Sequence, residues 1–210
     1  MRFILLVLCV FANAAYALDQ TETGFFYPTG KAQFDSGGGT WLGRDAAHES
    51  ASDAQHYFDG FYHNGVDMMT RSLDAKVYAI ADGTIYKRHC KDIAWGPGNC
   101  ALFIKHKTYD GQEFTAVYGH LSKGSLPAGN EVDAGVSIGK TGPWSGGIHL
   151  HLGIFPGSTP PSTVEGVRGW GMMANSEWRN ECEGNSTCTN TFTNPVAFIQ
   201  THFAYNPSTE

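Results

Sequence analysis

The sequence predicts a β-sheet protein, and three observations carry that prediction. From residue 76 to residue 140 the chain consists of strand-length runs that are alternating or largely apolar. Turn signals separate the runs, and no stretch of this region has the spacing of an amphipathic helix. The predicted strands are 76–82, 84–89, 101–107, 113–121 and 136–140, and the separators are Asp82-Gly83, Gly96-Pro97-Gly98-Asn99, Asp110-Gly111 and Ala134-Gly135.

The N-terminus has the pattern of a secretory signal peptide over residues 1–17. Arg2 provides a positive start, residues 3–11 are apolar, and Ala15-Tyr16-Ala17 is typical of a cleavage site. A short membrane anchor is the alternative interpretation of the apolar run. We expect export to the periplasm or the extracellular space, and no integral membrane span after cleavage, because no later apolar run approaches the ~18 residues needed.

The charge balance is acidic, with 14 Lys and Arg against 20 Asp and Glu and a formal net charge of −6. Removal of Arg2 with the signal peptide would make the chain more acidic still. Such a balance argues against nucleic acid as a partner and against electrostatic adhesion to anionic surfaces. A polyanionic substrate would have to be held by shape and specific contacts. The oligomeric state is left open.

Four cysteines lie beyond the signal peptide, an even number that suits an oxidising compartment. Three pairings are possible. We favour the local one, which joins Cys90 to Cys100 and Cys182 to Cys188. A zinc site built from these cysteines is disfavoured, because none of them forms a C-x-x-C pair.

The remaining chain divides into a loop-rich N-terminal segment, 18–60, and a domain over 61–210 that contains an inserted loop region at 156–193. The insertion is predicted to be irregular, because prolines and glycines interrupt it. Its aromatic residues could line a groove or form a small satellite core. Asn194-Pro195 resembles a helix N-cap followed by proline at the first helical position, and predicts a short helix to about residue 202.

Residues 146–155, Gly-Gly-Ile-His-Leu-His-Leu-Gly-Ile-Phe, contain the first candidate functional pair. In an extended strand His149 and His151 point to one face, roughly 7 Å apart. The residues that point to the other face and can enter a core are Leu150, Leu152 and Ile154. A histidine pair alone is weak evidence for a metal site, so further ligands are needed.

The sequence His63-Asn-Gly-Val-Asp67 can supply them. One imidazole, one carboxylate and a second imidazole from a distant strand are a donor set that catalytic Zn²⁺ uses, with the fourth position open for water. His120, at the end of a predicted strand, is a further candidate.

Taken in order, His63-x-x-x-Asp67, Tyr118-x-His120-Leu121 and His149-x-His151 resemble the motifs of the lysostaphin/LytM-type zinc metallopeptidases, which are peptidoglycan endopeptidases. The resemblance covers about 62–155 and the Asn194-Pro195 tail. Further matching stretches are Ala81-Asp82-Gly83-Thr84-Ile85, Gly98-Asn99, Ile104-Lys105-His106, Gly135-Val136-Ser137-Ile138-Gly139 and Thr141-Gly142.

The resemblance implies that His63, Asp67 and His151 bind Zn²⁺, and that His120 and His149 flank the metal-bound water as the catalytic pair. Either imidazole could be the general base. It also implies a mainly antiparallel, sandwich-like β fold with a groove over the zinc site, long loops and a short C-terminal helix. Tyr118 either lines that groove or is an ordinary half-buried strand residue.

The expected function is therefore an exported zinc metalloendopeptidase that hydrolyses peptide crosslinks of bacterial peptidoglycan through a zinc-activated water. One alternative is a catalytically silent, zinc-binding regulator of another cell-wall hydrolase, which the presence of all five site residues disfavours. Another is a secreted protease for Gly-rich proteins or pentaglycine bridges. Ile148, Gly153 and the insertion depart from the usual pattern, which affects groove shape and substrate preference.

Overall fold

The computed structural model describes residues 18–31, 61–70, 72–90, 95–144, 147–157, 167–168, 173–175 and 192–209. The predicted signal peptide and the predicted Cys182–Cys188 pair lie outside these residues. The strands are β1 (Phe61–His63), β2 (Val66–Met69), β3 (Lys76–Tyr78), β4 (Gly83–His89), β5 (Asn99–Lys107), β6 (Glu113–Ser122), β7 (Glu131–Val132), β8 (Ser137–Lys140), β9 (His149–Phe155), β10 (Val167–Arg168) and β11 (Met173–Asn175). The helix α1 is Pro195–Thr201, and 3-10 turns lie at Lys123–Ser125 and Pro207–Thr209.

The main sheet has six strands in the order β2-β9-β6-β5-β4-β7, and every pair in it is antiparallel. A second sheet has the order β1-β11-β10, and β3 pairs with β8. The predicted turn at Asp110-Gly111 joins β5 to β6. Gly111 has a φ of 87°, which glycine adopts without steric cost. The predicted mainly antiparallel β fold is confirmed.

One face of the main sheet carries the core. Leu150, Leu152 and Ile154 of β9 are fully buried in it, as the alternation predicted. Phe25 of the N-terminal segment is also fully buried, and its ring centroid lies 5.9 Å from that of Phe114. Residues 18–31 therefore contribute to the same core as the sheet.

Most predicted strand ends lie within two residues of the observed ones, but two predictions differ more from the structure. Strand 76–82 is shorter than predicted, because β3 ends at Tyr78 and the next residue bonds to the chain before β8. The N–H of Ala79 donates to Val136, and the carbonyl of Ala79 accepts from Gly135. The prediction that 156–193 is irregular is wrong in part, since β10 and β11 lie within it and β11 pairs with β1.

The local predictions that depend on short-range chemistry are confirmed. Asn194 caps α1, and its side chain accepts hydrogen bonds from the backbone N–H groups of Val196 and Ala197 at 3.0 and 3.3 Å. Cys90 and Cys100 form a disulfide.

Among the described residues, no helix is long and apolar enough to cross a bilayer.

Candidate metal centre

The pairing of β2 with β9 builds the centre of the site. In this ladder Asp67 lies directly opposite His151, and Met69 lies directly opposite His149. Directly opposed residues in an antiparallel pair have their side chains on the same face and close together. The register therefore brings a carboxylate from one predicted motif to an imidazole from the other.

His63 enters the same cluster from the end of β1. The turn that follows it passes very close to β9, since a Cβ atom at Gly65 would lie 2.5 Å from His151 Cε1 and 2.7 Å from the carbonyl oxygen of Leu152. Glycine is the residue that permits such an approach. The Asn64-Gly65 signal in the sequence thus marks a turn that seats His63 beside His151.

Three donor atoms converge in this cluster. His63 Nε2 lies 2.9 Å from His151 Nδ1 and 3.1 Å from Asp67 Oδ1, and His151 Nδ1 lies 3.2 Å from the same Oδ1. All three side chains are buried. Two imidazole nitrogens and one carboxylate oxygen within mutual reach are a donor set suited to Zn²⁺ with an open coordination position. The residues present therefore fit the Zn²⁺ that the sequence resemblance implies.

The electrostatics of the cluster favour the protonation states that metal ligands need. Burial by itself would raise the pKa of Asp67, but the charges and hydrogen bonds of the surrounding histidines outweigh it and hold that pKa well below its usual range. Burial lowers the pKa of His151 to about 4. At neutral pH the carboxylate is therefore ionised and this imidazole is neutral.

His120 and His149 lie beside the three donors, with their ring centroids 4.4 Å apart. His149 Nε2 is 3.6 Å from Asp67 Oδ2. In each ring Nδ1 contacts a backbone carbonyl, that of Trp95 at 3.1 Å for His120 and that of Gly147 at 2.8 Å for His149. Both Nε2 atoms are buried and have no hydrogen-bond partner among the described residues.

Burial and the proximity of His149 hold the pKa of His120 well below its ordinary value, so its ring is neutral at neutral pH. The structure thus brings together all five residues that the sequence singled out, the three donors and the two further imidazoles. Their arrangement places two further imidazole rings, His120 and His149, next to a cluster that can hold a cation.

His120 reaches the site through a break in the alternation of β6. The pairing of β5 with β6 shifts register between Cys100 and Leu102, and His120 has a φ of 60°. A positive φ is uncommon outside glycine, and such backbone outliers are often found at functional sites. Strict alternation would have placed His120 on the same face as Tyr118.

Tyr118 instead belongs to the core, where it is fully buried. Its hydroxyl accepts a hydrogen bond from the N–H of Ile80 at 3.0 Å and lies 3.3 Å from His106 Nε2. The hypothesis that Tyr118 lines a groove is therefore wrong. The alternative, that Tyr118 is a half-buried strand residue, is correct about the strand but not about the burial, which is complete.

Sequence reasoning missed two tryptophans that surround His120. The ring centroid of Trp95 is 5.7 Å from that of His120, and the ring centroid of Trp144 is 4.6 Å from it. Both residues come from loops, one between the disulfide-linked cysteines and one before β9. The sequence pattern that could have indicated them is a tryptophan next to glycine or proline in the loop before a strand, as in Trp95-Gly96 and Pro143-Trp144.

A comparison with protein-family models identifies a peptidase family over the part of the chain that contains the clustered residues. The model of the family described as "Peptidase family M23" matches residues 61–161. No curated protein is detectably similar to the chain.

Several solved structures are similar to this chain. CbpA from L. salivarius REN is 15% identical, with 85% of this chain and 96% of that chain covered and a TM-score of 0.47. The catalytic domain of the antimicrobial peptidase lysostaphin from Staphylococcus simulans is 21% identical, with 80% and 91% covered and a TM-score of 0.42. A zinc containing peptidase from Vibrio cholerae is 28% identical, with 44% and 26% covered and a TM-score of 0.33.

The family match spans every one of the five clustered polar residues, from His63 to His151, and it agrees with the resemblance seen in the sequence. Residues 61–161 of this chain therefore form a domain of peptidase family M23.

Proposed function

We propose that this protein is an exported zinc metalloendopeptidase that hydrolyses peptide crosslinks of bacterial peptidoglycan. The observation that carries the proposal is the convergence, within a domain of a peptidase family, of three buried metal-type donors with two further imidazoles. Three donors leave one coordination position open, which is typical of catalytic rather than structural zinc. The adjacent imidazoles, whose Nε2 atoms have no hydrogen-bond partner among the described residues, favour hydrolysis.

In this proposal His63, Asp67 and His151 would hold the zinc, because their donor atoms converge in the structure. When bound, zinc would lower the pKa of a water molecule and polarise the scissile carbonyl. The ionised carboxylate of Asp67 would offset part of the charge of the metal. The two imidazoles would be the neutral ligands, as divalent-cation binding requires.

The proton chemistry falls to His120 and His149. A neutral imidazole with Nδ1–H bonded to a carbonyl can accept a proton at Nε2 from the attacking water, and the carbonyl stabilises the imidazolium that results. The same nitrogen can then deliver the proton to the leaving amine. The second imidazole would stabilise the charge that develops on the carbonyl oxygen. Because the rings are 4.4 Å apart, either one can serve as the base.

The sheet offers a simple way to bind an extended peptide. Strand β2, which carries Asp67, is an outer strand of the six-stranded sheet. Extended peptides commonly add to such an edge through main-chain hydrogen bonds. The acidic charge of the chain favours a peptide substrate over a polyanion held by charge alone.

Digestion of purified cell walls tests the function and identifies the bond. The mature protein would be incubated with directly crosslinked and with glycine-bridged peptidoglycan, and the released peptides analysed by mass spectrometry. New ends at D-alanine to diamino-acid linkages support crosslink hydrolysis, whereas new glycine ends would favour the alternative of a protease for glycine-rich segments. Zinc-loaded protein that releases nothing would contradict catalysis and favour the regulator. His120→Ala and His151→Ala serve as controls.

A further inference from the structure

Trp95 is a fully buried residue that lies against the candidate site, although none of the motifs includes it. Its ring centroid is 5.7 Å from that of His120 and 5.7 Å from that of His151. The ring fills the space beside Gly119, where a Cβ atom would lie 2.3 Å from Trp95 Cζ3. The loop that carries Trp95 therefore covers one side of the histidine cluster.

The main chain of the same residue contacts His120. Nδ1 of His120 lies 3.1 Å from the carbonyl oxygen of Trp95. A carbonyl oxygen can only accept a hydrogen bond, so in the neutral ring the proton must be on Nδ1. Nε2, which is buried and has no hydrogen-bond partner among the described residues, then carries the lone pair.

Several contacts keep the Trp95 loop in place. The disulfide between Cys90 and Cys100 joins the two sides of the loop. Gly96, with a φ of 88°, packs so closely against the next loop that a Cβ atom there would lie 2.7 Å from Trp144 Cε3. The disulfide and the packing of Gly96 therefore both restrict the loop that carries Trp95.

We propose that Trp95 is a positioning residue whose buried ring and backbone carbonyl hold His120 in the Nδ1–H tautomer, with Nε2 left as the proton acceptor. The use of that acceptor in peptide hydrolysis rests on the proposed function. The tautomer itself does not depend on any substrate. A ring with its proton on Nε2 could not accept a proton there, so loss of the positioning contact removes a fraction of the competent molecules.

The test is the tautomeric state of His120 in the zinc-loaded chain. A two-bond ¹H–¹⁵N correlation spectrum at neutral pH, with the His120 signals assigned by their loss in His120→Gln, distinguishes the two tautomers. We expect the pure Nδ1–H form in the wild type and a mixture in Trp95→Ala. Trp95→Phe, which keeps an aromatic ring beside Gly119, should lie closer to the wild type. We expect kcat for peptide release to fall roughly tenfold or more in Trp95→Ala, with zinc retained and KM little changed.

A matched control is Phe114→Leu, which trims a buried aromatic side chain in the core, away from the histidine cluster. It should leave the His120 tautomer unchanged. If Trp95→Ala does not fold, the double variant Cys90→Ser/Cys100→Ser frees the same loop and should also give a mixture of tautomers.

Three results would overturn the inference: an Nε2–H tautomer in the wild type, a pure Nδ1–H tautomer in the loop variants, or loss of zinc in Trp95→Phe. The last would mean that the ring acts on the metal donors. A wild-type chain with the expected tautomer, and mixtures in the variants, supports the positioning role even if no cell-wall peptide is released. That outcome would contradict the proposed hydrolysis instead.

Discussion

Gly119 lies directly opposite His151 in the ladder of β6 and β9. Because Gly119 has no side chain, the ring of Trp95 can occupy the space beside it. A glycine in a strand interior usually weakens the strand, and it often marks a close approach of another group. Here that group is a tryptophan that contacts two of the clustered histidines. The absence of a side chain is therefore part of the site.

Gly119→Ala is expected to disturb the site more than the fold. The added methyl group would lie 2.3 Å from Trp95 Cζ3 and 3.1 Å from His151 Cβ, so the tryptophan has to move. Overpacking of this kind costs about 1–3 kcal/mol. Denaturant unfolding and peptide-release kinetics would measure the two effects.

The matched control for this variant is Gly124→Ala, since Gly124 is exposed and an added methyl group meets nothing within 4 Å. It should leave both stability and activity close to the wild type. Full activity in Gly119→Ala would show that the position of Trp95 does not matter to catalysis.

The division of roles among the histidines predicts different zinc contents in two variants. His151→Ala removes one of three converging donors and should lose most of the bound metal. His120→Ala leaves the three donors intact, so it should retain one zinc per chain while losing peptide hydrolysis. Metal analysis after dialysis, together with the cell-wall assay, measures both quantities. Equal metal loss in the two variants would mean that His120 is a ligand.

The buried ring of His106 predicts that stability falls in mild acid. His106 Nδ1 lies 2.9 Å from the carbonyl oxygen of Asp82, and burial lowers the pKa of the ring from 6.5 to about 4. Between pH 6.5 and about pH 4, His106 therefore binds a proton in the unfolded chain but not in the folded chain. The stabilisation is fully present above pH 6.5 and is lost as pH falls toward 4, with a total of about 3 kcal/mol.

The comparison that isolates this residue is His106→Asn, whose amide can still donate to the Asp82 carbonyl but does not titrate. Urea unfolding between pH 7.5 and pH 4.5 should show a smaller loss of unfolding free energy in the variant than in the wild type. Parallel pH curves for the two proteins would contradict the assignment. The zinc content must be the same in both series, since metal binding also depends on pH.

Peptide mapping of the oxidised protein tests the remaining disulfide. Cys90 pairs with Cys100 in the structure, so the local pairing leaves Cys182 to bond with Cys188. Under non-reducing conditions, one linked peptide should contain both of the latter residues and should separate on reduction. Free thiols at these two positions would refute the prediction.

The sequence by itself determined the elements of this protein that depend on neighbouring residues. The alternation in 149–155 predicted which side chains enter the core, and Asn194 was recognised as the cap of α1. The spacing of His63 and Asp67 indicated a metal-type donor pair. The predictions of the core alternation and of the helix cap were confirmed, because strand alternation and helix capping act over a few residues.

The tertiary structure decided the relationships that join distant parts of the chain. The register of β2 and β9 set Asp67 opposite His151, and a break in β6 turned His120 toward the site while Tyr118 entered the core. The sequence did not identify Trp95 as a functional candidate, because its contact with His120 depends on the space beside Gly119 in the folded chain. Such contacts depend on which strands pair and where a register shift falls, and no local pattern in the sequence encodes either choice.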